Sequence, residues 1–362
     1  MKKICFIGHF PPPISGLTKA VDTLYNSTLS QEYVFEKINI GHNNKKILGY
    51  LIKIKKSKAE LFYFTISQSR GGNLRDLLIL HAIGNRPCVI HLHGGFYRTL
   101  LSGLPGWQKR ENYKAISKVS GAIVLGPSLR WIFKGILPNE KIYTVPNCVD
   151  DEYLMDDGEF EEKIRLYDQR KIKHVLYLSN FIRSKGYIDV LRLAKLEKMR
   201  GGDRRFHFDF AGNFFDQNEE ECFWSYIKRE KLSDYVTYHG VVDGDKKRTL
   251  LKLSDYFVLL TRYQNEGQPI SILEAMGNGM VIITTDHAGI PDQVIDKLNG
   301  IVVSKNKIDV RSIYKRMLNM DNYNDIAIKN RMDVMNKYKE KNYIDNMRSV
   351  FISVIDKSEA HI

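Results

Sequence analysis

The stretch Thr261–Gly279, TRYQNEGQPISILEAMGNG, decides how this 362-residue chain is read. It follows a short apolar run, Tyr256–Leu260, that reads as a buried strand, and it carries two carboxylates, Glu266 and Glu274. Pro269 has a fixed φ suited to the first turn of a helix. Glu266 then falls in the loop before that helix and Glu274 in its second turn. Two carboxylates near one helix start can accept hydrogen bonds from sugar and ribose hydroxyls. The run Gly267, Gln268, Pro269, Ile270 brings backbone N–H groups toward an anion. A carboxylate in this position also reads as a plain helix cap. Paired carboxylates alone also suggest a glycoside hydrolase, but that chemistry demands a defined separation across the substrate, which sequence does not give.

Outward from this stretch, strands alternate with amphipathic segments in both directions. Lys3–Gly8, Leu61–Thr65, Cys88–His93, Gly121–Leu125 and Lys141–Val145 read as buried strands, with helical patterns such as Thr18–Leu29 and Leu74–Ile83 between them. An acidic segment, Asp150–Glu162, reads as a linker with the start of a helix. The alternation resumes at His174–Leu178, Phe206–Ala211, Tyr235–Tyr238, Tyr256–Leu260 and Met280–Thr284, and from about Ile308 the chain reads as helical. Such alternation implies α/β architecture with parallel sheets covered on both faces. Its repetition around an acidic break predicts two Rossmann-like domains, 1–160 and 171–340, with a helical tail over 341–362. Ligands of such sheets bind beyond the carboxyl ends of the strands, so the loops there hold the candidate site.

Charge is distributed unevenly. The net charge is +13, and residues 1–150 hold 21 Lys+Arg against 8 Asp+Glu, while the remainder holds equal numbers of each. A basic half implies an anionic partner such as nucleic acid, an anionic membrane surface or a phosphorylated substrate. The run Asn43–Lys58 interleaves six lysines with Ile, Leu and Tyr, a pattern for an interfacial helix or for an ordinary amphipathic surface helix. No apolar run is long enough to span a membrane, and the first residues read as a strand rather than a signal peptide. Cys5, Cys88, Cys148 and Cys222 are widely spaced, as in a reduced, cytosolic protein.

Four further loops carry chemistry. HFPPPISGLTKA after the first strand places Gly16 before a helix, with Thr18 as a cap, at a spot where an anion can approach. In HLHGGFYR, His91 and His93 point the same way on a strand, a metal-chelating spacing with no acidic or Cys partner nearby; the histidine at the strand end suits a polar contact in a cleft. In YLSNFIRSKG, Lys185 and Gly186 open a helix with Asn180 and Arg183 beside them, a diphosphate clamp or a solvated lysine. Asp243-Gly244-Asp245 matches a metal-binding D-x-D but reads as a turn with helix-capping residues.

Taken in order, the Gly16 loop, HLHGG, VPNCVD, SNFIRSKG and the E-x(7)-E pair make the chain resemble glycosyltransferase family 4, the retaining enzymes of GT-B fold. That resemblance implies two Rossmann-like domains facing each other across a cleft, the acceptor on the first, the donor on the second, and a C-terminal helix near Tyr343–Ile355 returning to the first. It implies that Glu266 meets the donor sugar hydroxyls and Glu274 the ribose. Lys185 then contacts the diphosphate, Gly16 lies near the phosphates, His93 sits near the reacting sugar, and Asn147 lies at the hinge. Catalytic candidates are Glu266, His93 and Lys185; donor-binding candidates are Gly16, Asn180, Arg183, Lys185, Glu266, Gly267, Gln268, Pro269, Ile270 and Glu274. The chain departs from the family pattern at Ser179-Asn180, where a cation is missing that Arg183 or Arg262 would replace, and at Ser15-Gly16 and Cys148.

The expected reaction is transfer from a nucleotide-diphosphate sugar, UDP- or GDP-linked, with no metal and no cofactor. The expected acceptor is a saccharide or undecaprenyl-linked saccharide in O-antigen, lipopolysaccharide, capsule or other polysaccharide assembly. The enzyme would be cytoplasmic, peripheral on the inner face of the bacterial membrane through its basic first domain, with no nucleic-acid partner. Two other readings remain at this level: a sugar-nucleotide epimerase or phosphorylase on the same fold, and a basic nucleic-acid-binding protein, for which no zinc-finger, RNP or basic-zipper pattern is present.

Overall fold

Alternate residues of the first strand, β1 (Lys3–Gly8), enter two different apolar layers, because side chains of a strand point to opposite faces. The chain continues through α1 (Gly16–Tyr25), β2 (Val34–Asn39), α2 (Ile47–Lys56), β3 (Leu61–Thr65), α3 (Arg70–Ile83), β4 (Cys88–His91), α4 (Tyr97–Ser102), α5 (Gly106–Ile116), β5 (Gly121–Val124) and β6 (Ile142–Thr144). These six strands form one all-parallel sheet in the order β2-β1-β3-β4-β5-β6. Cys5, Ile7, Phe62, Phe64 and Ile90 pack beneath Ile54 of α2, Ile79 of α3 and Ile116 of α5. Ile4, Phe6, Tyr63, Val89 and Ile123 make the opposite layer. β2 escapes the pattern of short apolar strands, because its VFEKIN buries only Ile38 at the sheet edge.

The second sheet follows from α6 (Asp157–Leu166), β7 (Lys173–Leu178), α7 (Tyr187–Arg200), β8 (Phe206–Ala211), α8 (Gln217–Glu230), β9 (Val236–Tyr238), α9 (Gly244–Leu253), β10 (Tyr256–Leu259), α10 (Ile270–Gly277), β11 (Val281–Thr285), β12 (Gly300–Val303), α11 (Val310–Leu318) and α12 (Tyr323–Lys337). Its order is β12-β11-β10-β7-β8-β9, again all parallel. The strand order reverses at β7 and β10, the topological switch where open α/β sheets hold ligands. The acidic stretch before β7 is folded: Asp156 caps α6, accepting from the Glu159 N–H at 2.8 Å while the Glu159 carboxylate accepts from the Asp156 N–H at 3.0 Å.

The last helix, α13 (Glu340–Glu359), lies with the first sheet. Tyr343, Met347, Val350, Phe351 and Val354 recur on one helical face and fill the layer of Phe6, Tyr63 and Val89. The computed structural model describes residues 1–12, 16–41 and 46–359. Its contacts divide into two units, Met1–Cys148 with Gln264–Gln268 and Glu340–Ile362, and Val149–Tyr263 with Pro269–Lys339.

Candidate functional site

In the first unit, candidate side chains gather at the carboxyl ends of β1, β3 and β4. β4 stops at His91, so His93 stands in the following loop and the two imidazoles stack, ring centroids 3.9 Å apart and tilted by 33°. The Tyr63 hydroxyl lies 2.7 Å from His91 Nδ1. Burial drives the His91 pKa well below its ordinary value and takes that of His93 down to about 4, so both rings are neutral at pH 7. A neutral His93 acts on a ligand through hydrogen bonds rather than charge. Both its nitrogens are out of solvent and lack a hydrogen-bond partner among the described residues.

The loop Gln264–Gln268 closes against this group. The Gly95 N–H donates to the Glu266 carbonyl at 2.7 Å. A Cβ on Gly267 would strike the His93 carbonyl oxygen, and one on Gly94 would strike the Asn265 carbonyl oxygen and the Gln68 amide. The glycine of the HGG sequence therefore makes room for protein backbone. Asn147 and Gln268 bind reciprocally: the Asn147 N–H donates to Gln268 Oε1 at 2.7 Å and the Asn147 side-chain amide to the Gln268 carbonyl at 2.8 Å. Glu266, Gln268 and Asn147 are all buried. Gly16 is the first residue of α1 and is exposed. Thr18 lies inside α1 and is buried, so it is not the cap; Ser15 lies outside the described residues.

In the second unit the loops after β7 and β10 meet. Gly186, at φ +83°, turns the chain from a short 3-10 turn, Arg183–Lys185, into α7, and a Cβ there would strike the Leu260 carbonyl oxygen. Lys185 therefore stands at the positive end of the α7 dipole, its ammonium 5.2 Å from the centre of the Tyr263 ring. The Arg262 guanidinium binds Asp189 of α7 at 2.5 Å, and the Arg262 N–H donates to the Ser184 carbonyl at 2.6 Å. Arg183 reaches Cys222 of α8, Nη2 to Sγ 3.0 Å. Both arginines considered as substitutes for the missing cation thus have anchoring partners. Asn180 is exposed, and its carbonyl accepts from the Tyr177 hydroxyl at 3.0 Å.

Pro269 occupies the N-cap of α10, one position earlier than a first-turn proline, and Ile270 opens the helix. Glu274 is 5% exposed, and its Oε1 lies 2.6 Å from the Lys247 ammonium of α9. Lys247 also sits 3.9 Å above the Tyr153 ring. Asp243 has the backbone of an N-cap, yet its carboxylate makes no cap hydrogen bond and accepts from the Tyr153 hydroxyl. The capping reading of Asp243 therefore gives way to a tertiary contact. Lys247 escapes sequence reasoning because it lies in a run of surface-looking cations, 27 positions from its partner. The described residues contain no group of three or more metal-ligating side chains arranged to hold a metal.

The family model for glycosyl transferases of group 1 matches residues 158–331. The GDP-mannose:cellobiosyl-diphosphopolyprenol alpha-mannosyltransferase of Xanthomonas oryzae pv. oryzae is 23% identical over 69% of this chain and 62% of its own length. The O-antigen chain mannosyltransferase B of Escherichia coli is 22% identical over 52% of this chain and 49% of its own. The chain thus spans about six-tenths or less of the length of these curated relatives. Among solved structures, Anabaena Alr3699/HepE in complex with UDP covers 98% of this chain and 100% of its own at a TM-score of 0.72, with 14% identity. A sucrose-phosphate synthase from Thermosynechococcus elongatus covers 99% and 100% at the same TM-score and identity.

Proposed function

Because residues 158–331 carry a group 1 glycosyl transferase domain in a chain of GT-B fold, we propose that this protein transfers a sugar from a nucleotide-diphosphate sugar to a saccharide or lipid-linked saccharide, with retention at the anomeric carbon. The observation that carries this reading is that Lys185, Glu266 and Glu274 all fall within the matched segment, after strands β7 and β10 that flank the switch point. The mannosyltransferase relatives support a hexose donor and a place in polysaccharide assembly.

As the glycosidic bond breaks, negative charge grows on the leaving diphosphate. Lys185 and the first N–H groups of α7 stabilise it, held in place beforehand by Gly186 and by the Arg262–Asp189 bridge. With those cationic groups supplying the charge, the reaction is expected to run without a metal, its rate unchanged when EDTA is added. Glu266 and neutral His93 bind hydroxyls of the transferred sugar, and Glu274 binds the ribose. The acceptor hydroxyl attacks the face that the diphosphate leaves and passes its proton to the departing phosphate oxygen.

The first unit adds a docking surface. α2, α3 and α5, which cover one face of its sheet, expose Leu48, Ile52, Leu74, Leu78 and Trp107 toward solvent. Exposed cations stand among them, including Lys53, Lys55, Lys56, Arg70, Arg110 and Lys114. Asn43–Lys45 of the lysine run lie outside the described residues; Ile47–Lys56 of it form α2. An apolar face set among lysines and arginines suits an anionic lipid surface, where each cation contributes about 1 kcal/mol. Among the described residues no helix is long and apolar enough to cross a membrane. We assign the protein to the periphery of the inner leaflet, where a lipid-linked acceptor is presented.

The test is donor binding and turnover with a panel of UDP- and GDP-sugars. A bound donor at about 100 times its Kd raises stability by about 2.7 kcal/mol, read as a thermal shift. Glu274→Ala is expected to abolish the shift, and Lys185→Ala to slow transfer at least 100-fold. Wild-type behaviour in both variants overturns the site.

A further inference from the structure

We infer that Lys247 is a nucleotide-binding residue that works with Glu274 as a donor–acceptor pair for the cis-diol of the donor's ribose. The inference rests on the proposed donor role of Glu274 and extends it to a residue on a different helix. A carboxylate can take a proton from each hydroxyl of a vicinal diol, but it offers nothing to their lone pairs. Each hydroxyl has one proton to give and lone pairs to fill, whereas a carboxylate only accepts. A neighbouring ammonium supplies the missing donors, and the two groups then match a diol with directional bonds.

The geometry supplies this pair. Lys247 Nζ lies 2.6 Å from Glu274 Oε1, in a charge-assisted bond that fixes one carboxylate oxygen and leaves Oε2 for a ligand hydroxyl. The ammonium carries three protons, of which one is committed to Oε1. The Tyr153 ring lies 3.9 Å from Nζ and covers one side of the ammonium. Tyr153 is itself held by the bond from its hydroxyl to Asp243, so the platform beneath the lysine has a fixed orientation. Both charged side chains are largely withdrawn from water, with 16% of Lys247 and 6% of Glu274 exposed. An ion pair so withdrawn contributes little net stability compared with an apolar pair of the same volume. A ligand that completes its hydrogen bonds gives the pair a role that stability does not.

A ribose hydroxyl placed at this pair donates to Glu274 Oε2, and its neighbour accepts from Lys247. Removing the 2′-hydroxyl leaves one of these groups without its partner, and buried groups left unpaired are what makes discrimination against a missing hydroxyl steep. Replacing the lysine with a neutral side chain of similar length removes the donor and releases the carboxylate together.

The experiment measures dissociation constants of UDP and GDP and of their 2′-deoxy counterparts by calorimetry, on the full chain. For the nucleotide that binds, the wild type is expected to prefer the ribose form at least 10-fold. Lys247→Met is expected to weaken ribonucleotide binding about 10-fold and reduce that preference to 2-fold or less, while Lys247→Arg retains most of it. Thermal denaturation of each unliganded variant separates loss of fold from loss of contact, and Lys247→Arg keeps the charge should Lys247→Met fail to fold. If Lys247→Met keeps the wild-type preference while Glu274→Ala loses it, the lysine is structural and the inference falls alone. If Glu274→Ala also keeps the preference, the donor role of Glu274 falls with it.

Discussion

Asp209 shows how much one buried side chain organises. It accepts from His174 Nδ1 and from His239 Nε2, each at 2.7 Å, on strands β7 and β8 and just beyond β9. Burial alone would raise the Asp209 pKa, but the two imidazole hydrogen bonds outweigh it and hold the carboxyl at about 2. The bond to Asp209 raises His174 in turn. A depressed carboxyl stabilises the fold above its unfolded pKa, and that contribution, about 2 kcal/mol, disappears as pH falls from about 4 to 2. A raised histidine stabilises the fold fully below its unfolded value near 6.5, and loses that contribution as pH rises through its folded value. Asp209→Asn is therefore expected to cost more stability at pH 5.5 than at pH 9, measured by urea unfolding; an equal cost at both would exclude the coupling. The sequence shows the three residues but not their meeting, because Asp209 is 35 and 30 positions from its partners. The Glu266/Glu274 spacing was legible because both lie in one stretch. Lys247 was not, because its partner is on another helix.

Among the elements, strands rich in Ile, Val and Phe were legible from composition alone. β1, β3 and β8 have the bounds their apolar runs suggest. β2 was illegible because an edge strand needs only Ile38 in the core and tolerates Glu36 and Lys37 beside it. β12, with GIVV, was too short to separate from the loop around it. Local polar spacing also carried information that went unread. Asp156 and Glu159 form a capping box where the acidic segment, read as a linker with the start of a helix, enters α6. Asp156→Ala is expected to lower stability by about 1 kcal/mol. In urea this would appear as a lower midpoint with an unchanged slope, whereas a changed slope would mean that α6 had come undone. Pro269 and Asp243 teach a related lesson. Sequence placed each at a helix start, and only tertiary contact determined that Asp243 serves Tyr153 rather than the helix behind it.

At the scale of the whole molecule, the two halves of the chain carry charge differently. In the first half, exposed cations such as Lys53, Arg70 and Arg110 share α2, α3 and α5 with exposed apolar side chains. The second half balances its charges through specific pairs such as Arg262–Asp189 and Lys247–Glu274. Flotation with vesicles of phosphatidylglycerol is therefore expected to recover the protein, and phosphatidylcholine vesicles to leave it behind. Added salt should weaken the recovery, since screening shortens the reach of surface charges. Trp107→Ser with Leu78→Glu should reduce it at least 10-fold without changing nucleotide affinity. Full recovery of that double variant would move the docking surface elsewhere.

The first sheet depends on a helix encoded about 200 positions after its last strand, and this fixes the order in which the molecule is finished on the ribosome. Val149–Tyr263 and Pro269–Lys339 are complete when residue 339 has emerged, so the unit encoded later can close first. The layer of Phe6, Tyr63 and Val89, covered in part by Val21 and Leu24 of α1, meanwhile waits for Phe351 and Val354. Chains cut short before α13 would leave the rest of that layer bare, as exposed apolar surface open to a chaperone or a protease.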